Sequence, residues 1–260
     1  MDLGIEGATA LILGGTKGLG YSCAAHLHAA GVRVALVGRD PETGRAAAAA
    51  LGAGAHFIAG DLADPVARAD ILQRTQAALG VAPAILVTNA GGPPPGEFTE
   101  QPPDAWRAAF EQNVLAHVEI AQALLPGMLA GGFGRIVNIT SFAAKEPYPN
   151  MALANAMRAA LHGAMSTLAR EVVGRGVTVN NLLPGLMDTG ALERVIRARM
   201  AKDGASEQEV RAAMARSVPA QRLGLAEDFG PACAFLCSRH AGYITAQNLA
   251  VDGGLIRALM

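Results

Sequence analysis

The chain has 260 residues, of which 51% are apolar and 17% charged, and its formal net charge is −1. That length suits one large domain with a sizeable core. A balance so close to neutral, without a basic block to follow a phosphate backbone, excludes nucleic acid as an expected partner. Residues 1–15 hold two acids and no basic start, and no apolar run approaches the roughly 18 residues of a membrane span. The expectation is a cytoplasmic protein with no membrane partner. Cys23, Cys233 and Cys237 are too few for a disulfide framework. Cys233 and Cys237, four apart, fall on one helix face as buried thiols, and no ligand spacing points to a metal.

In chain order, ATALILG (8–14) reads as a buried strand that runs through a glycine-rich turn into the helical LGYSCAAHLHAAG (19–31). VRVALVG (32–38) and HFIAG (56–60) are the next two strands, separated by PETGRAAAAALG (41–52). PVARADILQRTQAALG (65–80) then leads to the strand AILVTNA (84–90), and PDAWRAAFEQNVLAHVEIAQALLPGML (103–129) reads as one long helix. GRIVNIT (134–140), the small-residue helix MALANAMRAALHGA (151–164) and VTVNNLL (177–183) follow, and AEDFGPACAFLCSR (226–239) precedes the last strand, QNLAVDG (247–253). Strands that are apolar throughout rather than alternating are buried on both faces, so the sheet is expected to be parallel with helices on each side. The fold class is therefore α/β: a Rossmann-like, doubly wound parallel sheet of about seven strands, in a single domain over 1–260. The departure is 190–218, a charged helical pair inserted between two strands and expected to be a substrate lid.

In LILGGTKGLG, Gly14, Gly18 and Gly20 lie where a tight turn and the close approach of a pyrophosphate require no side chain. The spacing GxxxGxG differs from the commoner GxGxxG, and its place at the first strand-to-helix junction of a parallel sheet gives it weight. Further motifs follow in order: Asp61 after the third strand, TNAGG at 88–92, Asn113, NITS ending at Ser141, NNLLPGLMDTG after the sixth strand, and AVDGG at 250–254. Together, across essentially the whole chain, they resemble the short-chain dehydrogenase/reductase superfamily. The resemblance implies a nicotinamide cofactor held by Gly14, Thr16, Lys17, Gly18, Leu19 and Gly20. It implies that Asp61 and Leu62 flank the adenine, that Asn89, Ala90 and Gly91 support the ribose side, and that Pro184, Gly185 and Thr189 face the nicotinamide amide and pyrophosphate.

An NAD site places a carboxylate near the end of the second strand, whereas a 2′-phosphate wants cations. Gly38 stands where that acid would be, Arg39 follows it, and Lys17 lies inside the glycine loop, so NADP(H) is favoured over NAD(H). Asp40 argues the other way by its distance, yet it opens PETGRAAAAAL and is more simply a helix cap.

The superfamily's chemistry is hydride transfer at a carbonyl, aided by a tyrosine that donates a proton and a lysine four residues later. Thirteen residues after Ser141 and thirty before Pro184 the same position is reached, Ala154, so the register assigns Ala154 to the tyrosine and Arg158 to the lysine. Alanine donates no proton. Arginine stays cationic and can bind a ribose or an oxyanion, but it does not shuttle protons. The resemblance leaves Ser141 to hold the carbonyl oxygen, Asn113 to support a water relay and Arg158 to supply the cation. Tyr148 is a candidate replacement acid or a tyrosine packing on the lid; Asn155 orients substrate or is a helix-surface or capping amide, His162 fits better as a core or subunit-interface residue, and Lys145 and Glu146 as solvated loop charges. Water, or an acidic hydroxyl on the substrate itself, is the remaining proton source.

The expected function is an atypical NADP(H)-dependent short-chain reductase acting on a carbonyl or quinone-like small molecule. The alternative is a nicotinamide-binding protein without redox turnover, either a regulatory or scaffold subunit or a dehydratase or cyclase. The resemblance also implies a homo-oligomer, a tetramer or dimer packed through the helix at 151–164 and the one before it.

Overall fold

The computed structural model describes residues 1–258. Seven strands form one parallel sheet in the order β3-β2-β1-β4-β5-β6-β7. They are β1 (Thr9–Ile12), β2 (Arg33–Gly38), β3 (Ala55–Ala59), β4 (Ile85–Thr88), β5 (Gly134–Ile139), β6 (Val177–Pro184) and β7 (Asn248–Val251). The order reverses between β1 and β4, and this switch point opens a crevice at the carboxyl ends of the strands. The connecting helices are α1 (Gly18–Ala29), α2 (Pro41–Leu51), α3 (Pro65–Leu79), α4 (Pro103–Phe110), α5 (Ala116–Ala130), α6 (Ala152–Val172) and α9 (Ala226–Cys237). The expected doubly wound sheet of about seven strands is the fold observed.

Burial follows the continuous apolar strands. On one face Cys23, Ala24 and Leu27 of α1, Ala47 of α2 and Phe229 of α9 pack with Ile12, Val34 and Val87. On the other, Ile71 of α3, Ile120 of α5 and Leu161 of α6 pack with Leu11, Leu86 and Ile136. All three cysteines are free and buried; the contact with Cys23 and then burial push the Cys233 thiol up, and the contact with Cys233 and then burial push the Cys237 thiol up. Asp40 caps α2 through Thr43 N, and Asp64 caps α3 through Val66 N, each followed by a proline at the first helical position, where its missing N–H costs nothing.

Two elements differ from the sequence reading. The single helix expected over 103–129 is two, α4 and α5, joined by a π turn at Glu111–Leu115 that contains Asn113. The helix at 151–164 continues to Val172. Between β6 and α9 the chain forms α7 (Gly190–Asp203) and α8 (Glu207–Ser217), the latter opened by a reciprocal Ser206–Glu209 capping box. These helices bury Leu192, Ile196, Val210 and Met214 in a cluster of their own with Phe142 and Leu186. Among the described residues no helix is long and apolar enough to cross a membrane, and no group of three metal-ligating side chains occurs.

Candidate active site

The turn from β1 into α1 is built around absent side chains. Gly14 has φ +56°, and a Cβ there would lie 2.7 Å from Asn89 Nδ2. A Cβ on Gly20 would collide with the Gly14 carbonyl. Asn89 Nδ2 donates to that carbonyl at 3.1 Å, so the amide of the TNAGG motif ties the β4 end to the glycine turn. Gly18, also at φ +56°, has only Thr189 nearby, 3.8 Å from its notional Cβ. Two motifs 171 positions apart thus meet over the start of α1, where orphan N–H groups suit an anion. Lys17 is the residue preceding that helix, and Leu19 packs half-buried against the core. This bare cradle fits a pyrophosphate.

At the β2 end, a Cβ on Gly38 would lie 2.7 Å from Thr16 Cγ2, so bulk is excluded beside Thr16. A 460 Å³ cleft opens here between α1 and α2, lined by Thr16, Tyr21, Glu42 and Thr43. Asp40 acts as the cap it resembled, and its bond from the Thr43 N–H holds its carboxyl below the ordinary value. Arg39 lies 3.9 Å from Asp61 with its side chain 73% exposed, which leaves the guanidinium available. Leu62 is buried, and its carbonyl accepts from Arg68 Nη1 at 2.7 Å.

Arg68 is a functional candidate that the sequence did not disclose. It is buried on α3 and also donates to Glu111 and Glu119, each at 2.7 Å. One guanidinium therefore fixes the Asp61–Leu62 loop relative to the π turn that carries Asn113. The signal available was only an arginine inside an otherwise apolar helix face.

The reaction end of the crevice is assembled from β4, β5, α5 and α6. Ser141 ends the β5 segment, and its Oγ accepts from Ala143 N at 3.1 Å, leaving its O–H free to donate. Ala154 and Arg158 lie one turn apart on α6, both buried. Arg158 Nη1 donates to Ile139 O at 3.2 Å and Nη2 to Ala90 O at 3.4 Å. No carboxylate among the described residues pairs with it, and burial pushes its pKa down to about 10. Asn113 Nδ2 donates to Ala109 O at 3.2 Å, within the loosened backbone of the π turn. Gly91 is exposed beside Ala90. Pro184 ends β6, and Gly185 N bonds Val251 O where a Cβ would lie 2.7 Å from Asp252, so this loop is pinned against β7.

Tyr148 faces the 190–218 insertion. Its phenol oxygen accepts from Arg199 Nη2 on α7 at 2.5 Å, and its ring meets Phe142 edge-on at 5.5 Å. Asn155 holds the same loop by bonding the Tyr148 backbone through both amide atoms. His162 is buried on α6 and pairs through Nε2 with Thr140 Oγ1 at 2.8 Å. Burial, with the charges of Arg158 and Lys145, lowers its pKa to about 4. The second residue missed in the sequence is His117, fully buried on α5 one turn after Asn113; burial first and Arg158 second push its pKa down to about 3.

A family model described as enoyl-(acyl carrier protein) reductase matches residues 14–256. The chain is 31% identical over 253 residues to the 3-oxoacyl-[acyl-carrier-protein] reductase FabG of Escherichia coli K12, covering 97% of this chain and 99% of that one. It superposes on the L-sorbose reductase of Gluconobacter frateurii, solved with NADPH and L-sorbose, with a TM-score of 0.94 and 30% identity over the whole of both chains. An NADPH-bound short-chain oxidoreductase of Pseudomonas aeruginosa PAO1, described as containing an atypical catalytic centre, matches with a TM-score of 0.87 and 30% identity, covering 98% of this chain and 99% of that one. The glycine cradle, the switch-point crevice and these matches over nearly the full length make the chain a member of the short-chain dehydrogenase/reductase superfamily.

Proposed function

We propose that the protein is an NADP(H)-dependent reductase of a carbonyl or quinone-like small molecule that works without the family's tyrosine acid at position 154. The observation that carries this reading is Arg158: a buried guanidinium with no carboxylate partner among the described residues, bonded to the carbonyl of Ile139, two residues before Ser141. A cation buried without a counter-charge is costly, and it is best accounted for where negative charge develops during the reaction.

NADPH, when bound, supplies the hydride. Gly14, Gly18 and Gly20 leave room for its pyrophosphate, and Thr189 closes over the turn. Arg39 and Lys17 are the cations for a 2′-phosphate, and Asp40 serves as the cap of α2 through Thr43 N. The Ser141 O–H and the Arg158 guanidinium orient the substrate oxygen and stabilise the oxyanion that forms on it. Ala154 gives space where the family's phenol would stand. Helices α7 and α8, the 190–218 insertion, cover the substrate with the apolar side that holds Leu192 and Ile196.

Relatives solved with NADPH bound, the Gluconobacter and Pseudomonas enzymes, support this cofactor and reaction class. Calorimetric titration with NADPH and NADH, followed by NADPH-oxidation assays over ketones and quinones, tests the reading. Tighter binding of NADPH and substrate-dependent oxidation are expected. Absence of binding to either nucleotide contradicts the proposal.

A further inference from the structure

We propose that His117 is a proton-relaying residue, which together with Asn113 holds water beneath Arg158 and so delivers the proton that no side chain at position 154 can give. The inference rests on the reductase reading above and deepens it. Helices α5 and α6 lie side by side below the carboxyl edge of the sheet, with α6 also packed on the π turn. Asn113 and His117 follow one another by a turn on the first; Ala154, Arg158 and His162 do so on the second. Both rows are buried.

Within this layer the partners are unevenly distributed. His162 is satisfied by Thr140. Asn113 Oδ1 and both ring nitrogens of His117 are buried and find no hydrogen-bond partner among the described residues. Native proteins seldom leave such groups unpaired, and where protein atoms do not serve, ordered water with two to four polar contacts does. Asn113 Oδ1 and a His117 nitrogen, one turn apart, are two such contacts, and on the packed helix α6 Arg158 keeps N–H groups that Ile139 O and Ala90 O do not use. A histidine chosen only for packing would have no reason to sit with two unpaired nitrogens where an apolar residue fits.

The low pKa of His117 keeps its ring neutral across the physiological range, under the charge of Arg158. A neutral imidazole has one donor and one acceptor nitrogen, as a relay requires, whereas the protonated ring has no acceptor. Hydride addition to the carbonyl carbon leaves the pair of electrons on oxygen. A water O–H bond breaks as the product O–H bond forms, and the hydroxide so left takes the His117 ring proton. In the same concerted step the other ring nitrogen takes a proton passed in from solvent through water, leaving the opposite tautomer without an imidazolate, so one solvent proton is consumed per hydride. Arg158 stabilises the charge on oxygen throughout.

His117→Val, His117→Gln and the double variant His117→Val/Ala154→Tyr test this. For His117→Val, Tm is expected to hold, because the ring makes no hydrogen bond to another residue among those described, and NADPH affinity measured by calorimetry is unchanged. Its kcat is expected to fall by roughly 10²-fold, the lower range for loss of general acid catalysis, with a larger solvent deuterium isotope effect. His117→Gln, which holds a water but cannot exchange ring protons, stays slow. Ala154→Tyr in the His117→Val background recovers rate by offering a phenol directly. An unchanged kcat and isotope effect in His117→Val overturns the proposal, as does a fall in Tm with parallel loss of NADPH binding. Reduction confined to ketones that carry their own acidic hydroxyl, and lost in their O-methyl ethers, overturns the relay while leaving the reductase reading intact. NADPH binding with no turnover in the unmutated protein fails the reductase reading first and the relay with it.

Discussion

Arg158 and its neighbours set an acid-sensitivity that ordinary surface residues do not. His162 and His117 have pKa values lowered by burial to about 4 and about 3, whereas in the unfolded chain both return to about 6.5. Above pH 6.5 neither ring is protonated in either state, and their contribution to stability is complete. As pH falls below 6.5 the unfolded chain takes up protons that the folded one refuses, so stability declines until the folded values are reached. Tm is therefore expected to drop between pH 6.5 and 4, and His162→Leu is expected to shallow that slope; a flat profile in the unmutated protein contradicts it. At the glycine turn, Gly20→Ala is expected to cost about 1–3 kcal/mol as overpacking against the Gly14 carbonyl, measured by denaturant unfolding, and to weaken NADPH binding in the same variant. Gly14, Gly18 and Gly20 were legible because backbone approach leaves a mark in residue type. His117 was not, because a lone histidine in an apolar helix gives no sign of its partners; only its four-residue offset from Asn113 pointed there.

At the scale of elements, the strands were readable because their apolar runs are short and bounded by Gly, Asn and Asp. The π turn at Glu111–Leu115 was not, since periodicity runs through it with only a small phase shift. The 190–218 insertion was legible as a charged helical pair, but its fastening was not. Arg211 on α8 bonds Asp188 at 2.8 Å, Glu207 at 2.7 Å and also Glu193, joining α8 to α7 and to the loop after β6. Those carboxylates raise its pKa further, led by the bonds to Asp188 and Glu207. Arg211→Ala is expected to raise KM for the carbonyl substrate several-fold and to expose 190–217 to limited proteolysis, with NADPH affinity retained. Arg211→Lys restores little, because a single ammonium does not span three carboxylates as a guanidinium fork does. Equal protease resistance in Arg211→Ala and the unmutated protein contradicts this role.

For the molecule as a whole, the parallel sheet and its switch point follow from strands apolar on both faces, and they gather the glycine turn, TNAGG and the loops after β5 and β6 at one edge. Assembly is less legible, because a small-residue helix packs equally well within a subunit and between subunits. Gly163 on α6 separates the two: it is exposed, and a Cβ there meets no atom within 4 Å. If the homo-oligomer packs through α5 and α6, Gly163→Arg leaves the subunit folded and lowers the sedimenting mass; an unchanged mass moves the interface elsewhere. Hydride transfer without a tyrosine at position 154 is the claim on which the rest depends. It is tested most directly by incubating the protein with NADPH carrying deuterium at the transferring position of the nicotinamide and a reducible ketone, then analysing the alcohol by mass spectrometry. One deuterium retained on the carbinol carbon is the predicted result. An unlabelled alcohol, or no alcohol from any ketone despite bound NADPH, contradicts it.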